Sequence, residues 1–291
     1  MDDAKAARSF RVGLVQMCSG RDVDKNVARA SELIREAARG GAAYVQTPEN
    51  TILMELDRPR LLAAVRPEEG NPALAHFQSL ARELGIWLHI GSMAVLLDGG
   101  KFANRSFLIA PDGAIAARYD KIHMFDVDLG GGESYLESAN YQPGRQAVVA
   151  ELPWGGLGLT ICYDLRFPKL YRALAKAGAK FLAIPAAFTR PTGIAHWHTL
   201  LRARAIESQA YVFAAVQGGT HENGRETFGH SLVVSPWGEI LGEGDVHPAV
   251  IVADVDLQLL EDVRRRVPSL QHDRDFDVVH AAKLPPGEVS S

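Results

Sequence analysis

Two cysteines occur in the 291-residue sequence, and Cys162 has surroundings that could make it a nucleophile. Residues 158–168 carry an apolar strand pattern into a sharp turn and then into a helix that begins with proline. This arrangement would expose the thiol on a bend, near N–H groups of the following helix such as that of Tyr163. Those groups could lower the pKa of the thiol and later bind an oxyanion. Cys18 ends the first predicted strand, so we interpret it as a core residue.

A thiol nucleophile needs a base, and its tetrahedral intermediate needs a positive charge or hydrogen-bond donors for the oxygen. Glu49 follows one predicted strand and Lys121 follows another. Because open α/β sheets place their sites at strand ends, we expect both side chains to lie near Cys162. Burial of Lys121 beside Glu49 would keep both groups ionised. Either residue alone could be a solvated loop residue, but three strand ends together favour a catalytic site.

The elements that carry these residues follow one plan in both halves of the chain. The first half is predicted to have strands at 10–17, 42–47, 86–92, 105–110 and 114–119, with helices at 23–39 and 72–84. The second half is predicted to have strands at 157–161, 181–187, 211–217, 231–235 and 239–242, with helices at 168–177 and 195–209. The sequence therefore predicts an α/β fold in which two quasi-equivalent halves form facing sheets with helices outside.

The apolar pattern weakens from Leu257, and the arginines at 264–266 are expected to form a solvated face of an extended arm. We therefore divide the chain into an N-terminal tail (1–9), a single domain (10–256) and a C-terminal arm (257–291). No linker rich in proline and serine separates the two halves.

The overall composition favours a small-molecule substrate. A net charge of −4, from 31 basic and 35 acidic residues, gives no reason to expect nucleic acid or an anionic membrane as a partner. No apolar stretch approaches the ~20 residues that a spanning helix needs, and the first residues are acidic where a signal peptide is basic. We expect a cytoplasmic protein with two free thiols.

Three separated motifs give the chain a resemblance to the nitrilase superfamily: Pro48-Glu49-Asn50, residues 119–123 and residues 162–168. The resemblance implies a four-layer α-β-β-α sandwich that hydrolyses amides, carbamoyl groups or nitriles through a thioester, without metal or cofactor. It implies that Glu49 is the general base, that Lys121 stabilises the oxyanion and that Cys162 attacks the carbonyl carbon. A further family glutamate, which positions the reacting groups, corresponds to Glu137, with Glu133 as a nearby competitor.

Other segments are most similar to the Nit branch of that superfamily, which includes the deaminated glutathione amidases and the omega-amidases. These segments are residues 195–197, 200–207, 229–231 and 236–238. Tyr163 and Asp164 stand where true nitrilases usually carry tryptophan and glutamate, which argues against a nitrile substrate. His198 and Lys169 stand where many of these relatives carry glutamate, and the first of these departures leaves the exact substrate open.

The expected substrate is a small amide that bears a carboxylate. Arg166, close to the nucleophile, is predicted to bind this carboxylate in a bidentate pair, although a salt bridge to Asp164 or another acid is an equal alternative. Tyr163 is expected to contribute its N–H to the substrate oxygen. The loop at 188–193, with Phe188 and Thr192, is predicted to form another wall of the pocket.

The leading hypothesis is therefore a cysteine-dependent amidase of the Nit type. The alternatives are an N-carbamoyl amidohydrolase and a catalytically silent binding subunit. His196 and His198 lie two residues apart, point to different faces of a helix and have no partner at helical spacing, so we predict no metal site. The resemblance also implies a homodimer or a higher homo-oligomer.

Overall fold

The computed structural model describes residues 8–280, in which strands and helices alternate. The strands of these residues are β1 (Ser9–Gln16), β2 (Tyr44–Gln46), β3 (Trp87–Leu96), β4 (Phe102–Ile109), β5 (Ile115–Asp120), β6 (Asp126–Asp128), β7 (Ser134–Leu136), β8 (Val148–Leu152), β9 (Gly155–Leu159), β10 (Ala179–Ala183), β11 (Tyr211–Ala214), β12 (Gly218–Thr220), β13 (Glu226–Phe228), β14 (Leu232–Val234), β15 (Ile240–Glu243) and β16 (Ala249–Asp256). The helices are α1 (Val23–Arg39), α2 (Arg58–Ala64), α3 (Pro72–Leu84), α4 (Pro168–Lys176), α5 (Arg190–Ser208) and α6 (Leu257–Arg266).

The strands form two six-stranded sheets with the same pattern of directions. The order is β16-β1-β2-β3-β4-β5 in the first sheet and β8-β9-β10-β11-β14-β15 in the second. In each sheet the second, third and fourth strands are parallel and the outer strands are antiparallel to their neighbours. The prediction of two quasi-equivalent halves is therefore confirmed. The edge strand of the first sheet, β16, comes from the C-terminal end of the domain and not from the first half of the chain.

The two sheets face each other across a continuous apolar core. Tyr44 on β2 packs against Phe213 on β11 with 5.5 Å between ring centroids, and Phe10 on β1 makes an edge contact with Phe181 on β10. Helices α1 and α3 cover the outer face of the first sheet, and α4 and α5 cover that of the second. The protein thus has the four-layer α-β-β-α architecture that the motifs implied.

Helix α5 begins five residues earlier than predicted. Pro191 fits the first turn of a helix, where its missing N–H is not needed, so the segment predicted as a loop is the start of α5. Gly193 allows the helix to approach strand β13, since a Cβ there would lie 2.3 Å from the Phe228 side chain. Thr192, predicted on a pocket loop, therefore lies on this helix.

The C-terminal region differs from the expected extended arm. Its first residues form helix α6, which Asp256 caps through the N–H of Gln258 and which buries Leu260 and Val263. Arg264 is not part of a solvated face, because its guanidinium donates to the carbonyls of Ala179 and Gln209. Residues 1–7 of the predicted tail and residues 281–291 of the arm lie outside the described residues. Within 8–280, each helix falls short of the length and apolar character that crossing a bilayer requires.

A buried histidine lies in the core of the first half, and we expect it to couple stability to pH. His89 is fully buried, with Nδ1 bonded to the Tyr44 hydroxyl and Nε2 to Ser106, and burial lowers its pKa from 6.5 to about 3. The unfolded chain therefore takes up a proton below pH 6.5 that the folded protein excludes until about pH 3. By linkage, His89 removes about 2 kcal/mol of stability between pH 7 and pH 5.

The measurement is urea unfolding of the wild type and of a His89→Gln variant at several pH values in that range. The glutamine side chain has no titrating proton, so the free energy of unfolding of the variant should fall less steeply with decreasing pH. Equal pH dependence in the two proteins would show that His89 does not contribute this linkage.

Candidate active site

The loop that carries Glu49 is held close to strand β3. Its Pro48 carbonyl accepts from Ser92 N at 3.2 Å, and Ser92 Oγ accepts from Asn50 N at 3.0 Å. Gly91 permits this approach, because a Cβ at that position would lie 2.1 Å from the Thr47 carbonyl oxygen. Gln217 holds the loop from the opposite sheet by donating to the Glu49 carbonyl. The backbone around Glu49 is therefore fixed by both halves of the protein.

Cys162 occupies a sharp turn between β9 and α4. Its φ of 49° lies in the left-handed region, which residues other than glycine adopt mainly where the surrounding structure imposes it. Its N–H donates to the Pro185 carbonyl at 2.9 Å. Buried Asp164 braces the turn, since it accepts from Ile161 N and from the Tyr119 hydroxyl. Asp164 is thus occupied by the turn itself and forms no pair with Arg166.

Lys121 lies directly after β5 and reaches two carboxylates. Its Nζ is 3.0 Å from Glu49 Oε1 and 2.9 Å from Glu137 Oε2. Glu137 is also anchored by Phe125 N at 2.7 Å, and Asn104 Nδ2 bridges the two acids. Glu133, the competitor, instead accepts from the Tyr135 hydroxyl. Glu137 is therefore the glutamate that meets the lysine.

The three predicted catalytic side chains converge in one buried place. Glu49, Lys121 and Cys162 have 3%, 2% and 6% of their surface exposed, and all three line the same cavity. The second oxygen of Glu49 accepts from Ala187 N at 2.8 Å. A carboxylate, an ammonium group and a thiol from stretches more than 40 residues apart thus share one water-poor site.

Burial and the neighbouring charges determine which of these groups are ionised. Burial opposes ionisation of Glu49, but the positive charge of Lys121 and hydrogen bonds from Cys162 and Lys121 outweigh it and lower the pKa of Glu49. Burial likewise opposes the charge of Lys121, but Glu137 and Glu49 raise its pKa well above the ordinary value. The expectation that both groups stay ionised is therefore confirmed.

The expectation for the thiol is wrong. Burial, followed by the negative charge of Glu49, raises the pKa of Cys162 instead of lowering it. Dipoles at the start of a short helix do not offset the loss of hydration and an adjacent carboxylate. Cys162 is consequently a neutral thiol beside the ionised carboxylate of Glu49.

Glu49, Lys121 and Cys162, here called the triad, line a cavity of about 190 Å³. Cys162, Glu49, Lys121 and Glu137 line its floor. Its walls carry further polar groups that the sequence reasoning missed: Glu55, Asn104, Asn140, Tyr135, Tyr141 and Arg225. The only sequence signal near Arg225 is the preceding Asn223-Gly224, which is typical of a hairpin turn. A cavity of this size and polarity suits a small polar substrate.

The predicted substrate-binding residues lie outside the lining of this cavity. Tyr163 makes an edge contact with Phe125, one of the lining residues. Arg166 packs over the Phe188 ring at 5.1 Å, and its Nη1 is 3.3 Å from His196 Nδ1. Thr192 bonds to the Thr189 hydroxyl at 2.8 Å. Whether any of them touches the substrate remains a prediction.

His198 has partners that helical spacing could not reveal. Glu243 on β15 accepts from His198 at 2.7 Å and from His230 at 2.9 Å, and the three ligand-type atoms lie within 4.8 Å of one another. The group ties α5 to the second sheet. It is not part of the cavity that the triad lines.

Comparisons with known proteins agree over nearly the whole chain. The family model for carbon-nitrogen hydrolase matches residues 11–265. The deaminated glutathione amidase of Yersinia enterocolitica is 40% identical over 270 residues, which cover 92% of this chain and 94% of that protein. The omega-amidase NIT2-B of Xenopus laevis is 37% identical, with 91% and 95% covered. The crystal structure of the C. elegans NitFhit protein has a TM-score of 0.85 at 34% identity, and the match covers 92% of this chain and 65% of that longer one.

Proposed function

The chain belongs to the carbon–nitrogen hydrolase family and is an amidase, and from this premise we propose that Cys162, Glu49 and Lys121 carry out the reaction. The observation that carries the proposal is the Glu49–Lys121 ion pair of 3.0 Å in the buried cavity that Cys162 lines. A buried charge pair costs hydration, and here it places a base and a cation beside a thiol.

In the first half of the reaction, Glu49 takes the thiol proton as the sulfur attacks the amide carbon. The carbonyl electrons move to oxygen, where the Lys121 ammonium group and the N–H of Tyr163 stabilise them. When the intermediate collapses, the C–N bond breaks and the nitrogen leaves as ammonia or an amine with the proton that Glu49 held. The remaining acyl group is a thioester on Cys162.

In the second half, Glu49 accepts a proton from water while the water oxygen attacks the thioester. The C–S bond breaks, the carboxylic acid leaves and the sulfur recovers its proton. A base is needed in the first half because the raised pKa of Cys162 keeps the resting thiol protonated, and in the second half because water must lose a proton as it attacks. Glu137 acts as a positioning residue: both of its oxygens accept from Lys121 Nζ, which also donates to Glu49, and these contacts fix the ammonium group in the cavity.

We propose a small amide with a carboxylate as the substrate. This choice is supported by the polar cavity and by the deaminated glutathione amidase and omega-amidase relatives, whose coverage includes the whole domain. An N-carbamoyl compound remains the second candidate substrate class, since its cleavage uses the same three groups.

The test is hydrolysis of a panel that contains deaminated glutathione, glutaric acid monoamide and N-carbamoyl-β-alanine. We expect one amine per carboxylic acid formed from deaminated glutathione, or one ammonia per carboxylic acid formed from glutaric acid monoamide, without carbon dioxide. Carbon dioxide released with ammonia from the third would favour the carbamoyl alternative. Absence of turnover on all three, with Cys162 unreactive to amides, would favour a silent binding subunit.

We also propose a homodimer or a higher assembly in the cytoplasm. Ile206, Trp237, Ile240 and Leu241 are large apolar side chains with 38–50% of their surface exposed. They adjoin one another, because Arg202 of α5 donates to the Gly238 carbonyl of the hairpin that carries three of them. Contiguous apolar surface of this kind suits an interface between copies. The cytoplasmic location is supported by the need to keep Cys162 reduced.

A further inference from the structure

We infer that Arg225 forms the subsite that binds the carboxylate of the substrate. The inference rests on the proposed function and specifies which group selects the substrate. Arg225 precedes β13, on the turn that connects it to β12, and reaches the cavity from the second half of the protein.

The guanidinium lies beside the catalytic base. Arg225 Nη2 donates to the Ala187 carbonyl at 2.6 Å, and the N–H of the same Ala187 donates to Glu49 at 2.8 Å. The positive charge of Arg225 also contributes to the lowered pKa of Glu49. A substrate that reached from Cys162 to Arg225 would therefore span only a few carbons between its amide and its carboxylate.

Arg225 has unused hydrogen-bonding capacity. Its Nε is buried without a partner, and its Nη1 faces only the Met54 sulfur, a weak acceptor, at 4.0 Å. In residues 8–280, no carboxylate lies within ion-pair distance of it. A guanidinium with buried N–H groups is normally paired with an anion, since an unpaired charge away from water is costly.

The acids around the cavity are already engaged elsewhere. Glu49 and Glu137 bind Lys121, and Glu55 is 3.0 Å from Arg21. Glu133 accepts from the Tyr135 hydroxyl. The described part of the chain therefore offers no carboxylate to pair with the positive charge of Arg225. A carboxylate of the substrate has the matching charge and planar geometry.

Tyr135 holds the guanidinium in place. The Arg225 guanidinium lies over the Tyr135 ring at 5.1 Å from its centroid, and both residues line the cavity. Stacking covers one face of the group and leaves its donor edge to bind a ligand. By contrast, Arg166 is packed on Phe188 and outside the cavity lining, so Arg225 takes the role that the sequence suggested for Arg166.

The test compares two substrates of nearly equal size, glutaric acid monoamide and the uncharged glutaramide. Replacing Arg225 by methionine should lower kcat/KM for the monoamide about 100-fold, chiefly through KM, because a charge-assisted bidentate pair is lost. The loss of kcat/KM for glutaramide in the same variant should be at least about ten times smaller than the loss for the monoamide, since glutaramide has no carboxylate to lose. Arg190→Met is the matched control, because Arg190 is exposed and pairs with Glu226, and it should change neither value.

Equal losses on both substrates would overturn the inference and show that Arg225 only supports the Ala187–Glu49 backbone. A selective loss in Arg166→Met but not in Arg225→Met would also overturn it. If the wild type hydrolyses neither substrate, the proposed function fails for this class of amide. The role of Arg225 is then tested separately, by measuring the binding of glutarate. Glutarate should then protect Cys162 from iodoacetamide in the wild type, and at least about ten times more glutarate should be needed in Arg225→Met. Equal protection in both proteins, or none, would contradict the subsite.

Discussion

Replacing Cys162 by alanine is expected to lower the rate of amide hydrolysis at least ~10⁴-fold, because it removes the thiol that forms the acyl intermediate. Glu49 and Lys121 remain in the variant, so any residual activity measures what positioning and electrostatics achieve with water alone. The measurement is formation of the carboxylic acid product from the best amide of the panel, with the same protein concentration in each assay.

Cys18→Ala is the matched control, because Cys18 is the other free thiol and lies away from the cavity that Cys162 lines. It should retain wild-type activity within about twofold, as a substitution outside the reacting groups. Circular dichroism and the melting temperature verify that both variants fold. A folded Cys162→Ala protein with more than about a tenth of wild-type turnover would contradict the proposed nucleophile.

Replacing Lys121 by methionine should lower kcat about 10³-fold, because it removes the cation that faces the developing oxyanion. The same change leaves Glu49 and Glu137 buried without their shared partner, which should cost about 3–5 kcal/mol of stability. In the wild type, the lowered pKa of Glu49 adds stability that is present above its unfolded value of 4.5 and is lost as the pH falls through the folded pKa. Without Lys121 this contribution should largely disappear, so stability near pH 7 should fall more than stability near pH 4.

Two companion variants separate catalysis from folding. Lys101→Met is the matched control, since Lys101 is an exposed lysine whose ammonium group donates only to the Ser138 carbonyl, and it should be neutral in both measurements. The double change Lys121→Met with Glu137→Gln should recover part of the stability, because one unpaired charge is gone, but none of the activity. Recovery of turnover in the double variant would mean that Lys121 is structural.

Most of what the sequence could predict about the site came from residues that follow the ends of predicted strands. The periodicity of apolar residues predicted the central strands. Glu49, Lys121 and Cys162 each follow such a strand, and the fold brings the three side chains together. Glu137, which the resemblance favoured over Glu133 as the positioning glutamate, is the one that contacts Lys121. These residues could be selected from the sequence because each depends on a local pattern or a local motif.

Features that depend on distant contacts were missed. Strand β16 was not predicted, because its role as an edge comes from pairing with β1 more than 200 residues earlier. Arg225 follows a hairpin turn and carries no local signal, since its importance comes from Ala187 and Tyr135. The pKa of Cys162 was predicted in the wrong direction, because burial and the charge of Glu49 are visible only in the folded protein.

The raised pKa of the thiol also bears on mechanism. A preformed thiolate would attack without help, whereas a neutral thiol needs its proton removed during the attack. Glu49, ionised and lining the same cavity as the Cys162 sulfur, is placed to do this. Glu49 and Cys162 are therefore best regarded as one reacting unit.

The most direct test of the proposed mechanism is the mass of the enzyme during turnover. We expect acid-quenched protein, mixed with glutaric acid monoamide or deaminated glutathione, to carry a mass increase equal to the acyl group, located on the peptide that contains Cys162. The adduct should be absent from Cys162→Ala and should disappear once the amide is consumed. Turnover of the amide with no acyl mass on Cys162 under rapid quench, or with the adduct on Cys18, would contradict the thioester mechanism.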